Sequence, residues 1–346
     1  MAKAYLVGSG IAALSAAAFL IRDGGFAGRD IHLLEEQEVI GGSLDAGGTA
    51  ETGYSMRGGR MFEGQFRCTY DLLSSIPSAD DPSKSVTEDT FAAHDAFPWD
   101  DAGRLVDSDG KIEQPGSWQL WQWLARGRDD FGNPHVFDRS VKDSTWESFT
   151  VTCKDPLFVE LMEALSGREA GEGGLMTFPS SNWLLTIVLN RQPVYREQPH
   201  GVTVWWGYGL FPDRPGDYVG KPMTDRTGQE ILREVLYHLK FEANLDRIAE
   251  ASTVIPCLMP YITSQFLVRE HGDRPQVVPK GATNLAFIGQ FAEVPDDVVF
   301  TVEYAVRTAW TAVDTLLKLG NEPPPVYKGQ RDPRVLMNAL TTMHQR

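Results

Sequence analysis

Cysteine is scarce in this chain, with three in 346 residues, at Cys68, Cys153 and Cys257. Three scattered thiols make no disulfide framework, and without a C-x-x-C pair they offer no metal-ligand spacing. A reducing, cytoplasmic location is expected. The seven histidines are dispersed with no H-E-x-x-H or comparable pattern, so no metal site is expected. Positive charge is in deficit: 32 Lys and Arg stand against 47 Asp and Glu, a net charge of −15. That excludes nucleic acid from the expected partners and argues against unaided adhesion to anionic lipid. No apolar run approaches the roughly 18 residues that span a bilayer, and the apolar N-terminus has no cleavage-site pattern, so it reads as a first strand and helix. The absence of a G-x-S-x-G elbow and of kinase signatures sets aside acyl and phosphoryl transfer. No internal repeat or low-complexity tract is present.

What is present is organised around the first twenty residues. Ala4 to Val7 reads as a buried strand, Gly8-Ser9-Gly10 as a turn, and Ile11 to about Asp23 as an Ala-rich helix stopped by Gly24-Gly25. This is the dinucleotide fingerprint G-x-G-x-x-G/A, with Gly8, Gly10 and Ala13 at its special positions. Gly8 permits the tight turn, Gly10 lets the backbone approach a pyrophosphate, and Ala13 allows close packing of helix on strand. A second strand, Asp30 to Leu34, ends in Glu35-Glu36, where a ribose-binding carboxylate belongs. Gly41-Gly42-Ser43 and the Gly53 to Arg60 segment add two more glycine-rich turns. Arg57, Gly59 and Arg60 suit a pyrophosphate or a flavin carbonyl; solvated surface turns are the plain alternative.

Further along, helices are expected over Phe66 to Ile76, around Trp118, Trp121, Trp123 and Leu124, and over Pro156 to Leu165. Trp99 to Lys111 has little periodicity and reads as an excursion at a domain edge. A glycine-rich turn from Gly171 to Trp183 opens into a strand over Leu184 to Leu189, and Val202 to Leu210 is a second, aromatic-rich strand. Thr227 N-caps a helix to Leu239 with Glu230 at the capping-box position. Asn284 to Phe291 reads as a late strand, with Gly289 and Gln290 at its end and a helix from about Phe300. This returning unit is expected to rejoin the first sheet and aim its helix at the cofactor. After the stiff Glu322 to Pro325 linker, Val335 to Met343 is a short amphipathic helix that docks or touches a lipid surface.

Together these blocks resemble the oleate hydratases, flavin-containing fatty-acid hydratases also called myosin-cross-reactive antigens. The resemblance rests on Gly8 to Leu14, Leu33 to Glu36 with Gly41 to Asp45, Arg57 to Arg60, and Ser75 to Ser78. It continues through Gly173 to Phe178 with Ser181 to Trp183, Asn190 to Pro193, Tyr208 to Asp213, Pro256 to Thr263 and Phe287 to Glu293. It implies an α/β fold: a Rossmann-like FAD-binding domain of the two-dinucleotide-binding-domain type, with an inserted substrate domain and a short helical C-terminal tail. The expected domains are 1–112 plus 283–320 for FAD, 113–282 as a substrate-domain remnant, and 321–346 as the tail. FAD is the implied cofactor. The implied partner is an unsaturated, oleate-like fatty acid, which gains water at a cis double bond without net redox chemistry. At most peripheral membrane contact is expected, from a monomer or homodimer.

Two departures from the family pattern stand out. Where the family places a carboxylate directly after the Arg-Gly-Gly-Arg segment, this chain has Met61, and Glu63 two positions later is the candidate catalytic replacement. The chain also jumps from about Ile112 into the Gly116 block, so the family's central section, with its proton-donating tyrosine, is missing there. By resemblance Thr177, Ser181 and Asn182 would bind the substrate carboxylate or the water, with Asn182 also a catalytic candidate. Turn capping is the plain alternative for them. Tyr261 would line the lipid channel or the core. Gln192, Gln198 and Tyr208 are weaker candidates, read as structural. An FAD-dependent oxidoreductase of the amine oxidase or desaturase type, and a non-catalytic flavin- or lipid-binding protein, are the alternatives to a hydratase.

Overall fold

A computed structural model describes residues 2–59, 62–97, 103–113, 145–172, 174–262, 270, 272–297, 299 and 301–344. The expected tryptophan helix (Trp118, Trp121, Trp123, Leu124), Arg60 and Met61 lie outside the described residues. The chain forms two compact units: Met1–Asp45, Arg60–Pro98 and Val268–Val335 make the first, and Ala46–Gly59, Trp99–Leu267 and Leu336–Arg346 the second.

In the first unit β1 (Ala4–Val7) pairs in parallel with β2 (Ile31–Leu34), in register from Ala4↔Ile31 to Val7↔Leu34. The link between them is α1 (Ile11–Arg22), whose small residues let it lie close to its neighbours. Phe19, Ala16 and Leu20 pack with Val306, Ala309, Trp310 and Val313 of a late helix, Val302–Leu317, while Ala4, Leu6 and Ile31 close the cluster from the sheet. Gly24 is needed where α1 ends, because a Cβ there would fall 2.6 Å from Leu317 Cδ1 and 2.8 Å from the Leu20 carbonyl. Two helices follow in the chain, α2 (Arg67–Ser74) and α3 (Val86–Ala96). The first ends ahead of Pro77; the second starts on a complete Ser85/Glu88 capping box.

The late helix also holds α2 in place. Glu303, buried, accepts the Cys68 and Thr69 N–H groups and the Thr69 hydroxyl, all at 2.9 Å. A carboxylate there satisfies orphan donors and complements the positive helix end. Arg307, four residues on, pairs with Glu303 at 3.1 Å and Asp297 at 2.8 Å. The expected strand over Asn284 to Phe291 does not form a ladder. Phe287 N–H bonds Val277 O and Glu293 N–H bonds Pro275 O, with a lone bridge between Gln276 and Glu293. The segment is thus tied to a proline-flanked stretch instead of β1, and among the described residues β1 and β2 make a two-stranded sheet.

The second unit is built on a seven-stranded sheet in the order β11-β7-β10-β9-β8-β5-β6. Its strands are β5 (Arg104–Val106), β6 (Ile112–Glu113), β7 (Trp146–Cys153), β8 (Leu175–Thr177), β9 (Leu185–Val188), β10 (Thr203–Gly209) and β11 (Ser252–Met259). Pairing is antiparallel except between β5 and β8. Pro256, which cannot donate to a ladder, sits in the edge strand β11. The strand period of two divides β7 cleanly. Phe149, Val151 and Cys153 enter a core with Phe158, Trp205, Leu232, Val235 and Leu236. That core comes from the sheet and from α4 (Leu157–Ser166), α5 (Gly228–His238) and α6 (Leu245–Glu250). Helix α5 begins on the expected Thr227/Glu230 capping box, and Ile231, Leu232, Val235, Leu236 and Leu239 are all buried.

The alternate residues of β7 face a hairpin of β3 (Ala46–Thr49) and β4 (Gly53–Met56). Thr152 Oγ1 accepts the Tyr54 N–H at 2.8 Å and Thr150 Oγ1 accepts that of Met56 at 3.0 Å. The late helix of the first unit is α7 and the tail helix, Pro333–His344, is α8. The apolar side chains of α8 are open: Val335, Leu336, Met337 and Leu340 are 41–63% exposed.

Candidate cofactor and substrate sites

The glycine turn of the first unit has the geometry the fingerprint requires. Gly8 has φ +88°, and its N–H bonds the Leu34 carbonyl at 2.8 Å, tying the turn to the end of β2. Gly10 is the extended N-cap of α1, a twelve-residue helix with no acidic residue in its first turn. A Cβ built on Gly8 or Gly10 would meet nothing within 4 Å. The space is open directly at a helix N-terminus, which is the setting an anion needs. Ala13 is 4% exposed, on the buried side of α1.

Two further glycine segments converge on this turn. Gly41 N–H bonds the Ser9 carbonyl at 3.1 Å, and Gly10 and Gly41 form a parallel bridge. Gly42, at φ +61°, runs so close that a Cβ would lie 3.0 Å from Gly10 Cα. Ser43 follows in the same short 3-10 turn, Gly42–Leu44. From the far end of the chain, Gly289 (φ +97°) donates its N–H to Thr308 Oγ1 at 2.8 Å and comes to Ala12 at the start of α1. The carbonyl of Gln290 accepts from Arg274 at 2.9 Å. The returning segment therefore reaches the fingerprint helix although it does not join the sheet.

Glu35 is turned onto the same turn. Its Oε2 accepts the Ser9 N–H at 2.8 Å and the Ser9 hydroxyl at 2.5 Å, and its Oε1 accepts the N–H groups of Glu36 and Gln37. The Ser9 hydroxyl foremost, then those backbone donors, holds this carboxyl below its ordinary value. An ionised acceptor beside the glycines fits a ribose diol. The exposed Glu36 contributes only its backbone N–H to this arrangement.

Glu63 is exposed, just ahead of α2. Its charge reaches Tyr70, whose phenol is buried without a hydrogen-bond partner and is pushed up by burial and then by Glu63. Tyr70 was not singled out in the sequence; an i, i+7 spacing from Glu63 was the available signal. Met61 and Arg60 are outside the described residues, and Arg57 and Gly59 belong to the second unit. There Gly59 lies against the Trp206 ring, 3.0 Å from a built Cβ. Trp206, Tyr208 and Trp146 form a stacked row with centroids 5.7 and 5.4 Å apart. The row alternates with the core residues of β7 and β10, which is why sequence periodicity shows it only as an aromatic-rich strand.

The other expected substrate residues are in the second unit. Thr177 Oγ1 is 2.9 Å from Thr186 Oγ1 across the β8–β9 ladder, a cross-strand pair. Ser181 is 5% exposed and its Oγ has no hydrogen-bond partner. Asn182 is exposed, with its N–H bonded to Asp217 Oδ2 at 2.8 Å. Tyr261, at φ +54°, is 68% exposed. Gln192 and Gln198 satisfy one another at 2.7 Å and tie down the backbone of Val194, Tyr195, Val202 and Val204.

The chain is 29% identical to an oleate hydratase of Streptococcus pyogenes serotype M49 (strain NZ131), over 98% of this chain and 89% of the relative. That alignment runs to 526 positions against 346 residues here, so at least 180 of its positions have no residue of this chain. It is 34% identical over 253 residues to a linoleate hydratase of Lactiplantibacillus plantarum, covering 65% of this chain and 42% of that protein. Among solved structures, a cyclohexylamine oxidase from Brevibacterium oxydans IH-35A is 12% identical with a TM-score of 0.42, over 92% of this chain and 99% of that one. A flavoprotein/dehydrogenase from Cytophaga hutchinsonii is 13% identical with a TM-score of 0.37, over 99% of this chain and 84% of that one. The family model described as the MCRA family matches residues 1–116 and again 108–313. The two matches overlap at residues 108–116. Covering nearly the whole chain, they establish that this protein belongs to the MCRA family.

Proposed function

We infer that the chain is a fatty-acid hydratase, a hydro-lyase that adds water across a cis double bond of an unsaturated fatty acid, of the oleate to 10-hydroxystearate type. One observation carries this reading: two hydratases, named for oleate and for linoleate, align with this chain, the first across almost its full length. FAD fits the residues present. The open space over Gly8 and Gly10 at the start of α1 would take the pyrophosphate, with Gly41, Gly42 and Gly289 closing round the turn and Glu35 meeting the ribose. When bound, FAD would supply shape and a local field to the reacting centre, with no net electron transfer.

Hydration needs an acid to protonate one alkene carbon and a base to orient and deprotonate the water that attacks the other. Glu63 is our choice for the base, being the carboxylate nearest in sequence to the position that Met61 occupies. Ser181 and Asn182 would bind the fatty-acid carboxylate, supported by the unpartnered Ser181 hydroxyl and the exposed Asn182 side chain. A cytoplasmic setting is supported by three cysteines that are all free. Peripheral contact with a lipid surface is supported by the exposed apolar side chains of α8. Among the described residues no helix is long and apolar enough to cross a membrane.

A second reading, a flavin- or lipid-binding protein without turnover, is favoured by the 180 or more positions that the streptococcal relative has and this chain lacks. Incubation of purified protein with FAD, a reductant and oleate, followed by mass spectrometry, separates the two. A product heavier by one water supports the hydratase; retention of flavin with no product supports the second reading.

A further inference from the structure

The second unit brings together three ligand-type side chains from one helix and the loop ahead of it. Glu234 and His238 are one turn apart on α5, and Asp217 is in the loop ahead of it. One atom from each lies within 4.8 Å of the others. His238 is 6% exposed, and its Nε2 stands 3.3 Å from both Asp217 Oδ2 and Glu234 Oε1. It makes a directed hydrogen bond to neither, although the atom is fully buried. A buried ring nitrogen between two carboxylate oxygens, aligned with neither, is expensive unless something between them is shared.

We propose that Asp217, Glu234 and His238 form a site for a divalent transition cation of the zinc class. The spacing suits it: ligands about 2.0 Å from a tetrahedral ion are about 3.3 Å from each other, the distance found on both sides of Nε2. The carboxylates are held ready for the ion. Glu234 is fully buried and accepts the N–H groups of Asp217 (2.7 Å), Tyr218 (3.0 Å) and Val219 (2.8 Å). The Tyr218 N–H also reaches Oε1 at 3.2 Å, so the three donors hold both carboxylate oxygens. Hydrogen bonds of this kind orient ligating carboxylates in metal sites. Asp217 is partly open to solvent, which leaves an entry route and room for a water as fourth ligand. Its Oδ2 also accepts the Asn182 N–H, so the bound ion would brace the Ser181–Asn182 turn from behind.

The test is zinc chloride added to untagged, chelator-treated protein, followed by calorimetry and thermal melting. One equivalent should bind with micromolar or tighter affinity and raise the melting temperature by several degrees, since an ion that binds only the folded state stabilises it. His238→Gln should weaken binding about 100-fold, and Asp217→Asn, at a partly exposed position that folding tolerates, at least about 10-fold. Cys257→Ser should change nothing, which separates this site from the only thiol that is not fully buried. No heat and no melting shift at millimolar zinc would overturn the proposal. Binding that survives both His238→Gln and Asp217→Asn would overturn it equally.

Discussion

Glu147 on β7 is the buried carboxyl for which the fold provides least. It is 5% exposed, opposite Gly209 and Leu258 in the ladders, on the side of the strand that carries Phe149, Val151 and Cys153 into the core. Burial alone pushes its carboxyl up to about 7, against about 4.5 for an ordinary glutamate. Below about pH 4.5 both folded and unfolded chains hold this proton, and the group costs nothing. Between 4.5 and 7 only the folded chain holds it, so its contribution to stability falls as pH rises. Above 7 the loss is complete, at about 3 kcal/mol. Glu147→Gln removes the titration while keeping the shape. The variant should therefore gain about 2.5 kcal/mol relative to wild type on going from pH 5 to pH 8, whatever its offset at pH 5. Urea unfolding followed by tryptophan fluorescence reads this directly, because Trp183 and Trp205 lie in the same core. A difference between the two proteins that does not change from pH 5 to pH 8 would refute the reasoning.

Three other perturbations probe separate parts of the account. Glu63→Gln should lower the hydration rate about 100-fold or more with little change in KM, the usual cost of losing a general base; an unchanged rate removes Glu63 from the chemistry. Gly42→Ala puts a side chain 3.0 Å from Gly10 Cα at φ +61°, and should cost at least about 10-fold in flavin retained after desalting. Full retention would mean that the two glycine turns do not form the cradle. Glu303→Ala strips the cap from α2 and one carboxylate from the buried Arg307, and should destabilise the first unit by about 3 kcal/mol in denaturant unfolding. A loss below about 1 kcal/mol would show the network to be dispensable.

Much of the first unit was readable in the sequence because its signals are local. Ala4 to Val7, the glycine turn, the Ala-rich α1 and the strand to Leu34 follow one another with little in between, and each boundary carries its own residue. The capping box at Thr227 is local in the same way. What escaped was set by the tertiary structure. β7 alternates only over the five residues Phe149 to Cys153, with Thr150 and Thr152 serving the hairpin and Phe149 and Val151 the core, and is buried on both faces, so its extent is set by the strands that pair with it. β5 and β8 are three residues each, inside stretches read as an excursion and a turn, and are strands only because neighbours pair with them. Asn284 to Phe291 has a strand's composition, yet its Phe287 N–H goes to the Val277 carbonyl and its Gly289 N–H to the Thr308 hydroxyl. At the sites, Gly8, Gly10, Glu35, Gly41 and Gly289 come together as their residue types imply. The cluster of Asp217, Glu234 and His238 has only a Glu-x-x-x-His spacing as its local sign, and its third member comes from a loop.

The central claim is that this chain hydrates a double bond without net electron transfer. The most direct measurement is anaerobic turnover of oleate in water enriched in oxygen-18, with FAD, a reductant and no electron acceptor, analysed by mass spectrometry. The account predicts a hydroxy fatty acid about 20 mass units heavier than oleate, carrying one heavy oxygen, with the amount of reduced flavin unchanged by substrate. Turnover that requires an acceptor, or a product oxygen drawn from dissolved oxygen rather than water, would contradict it.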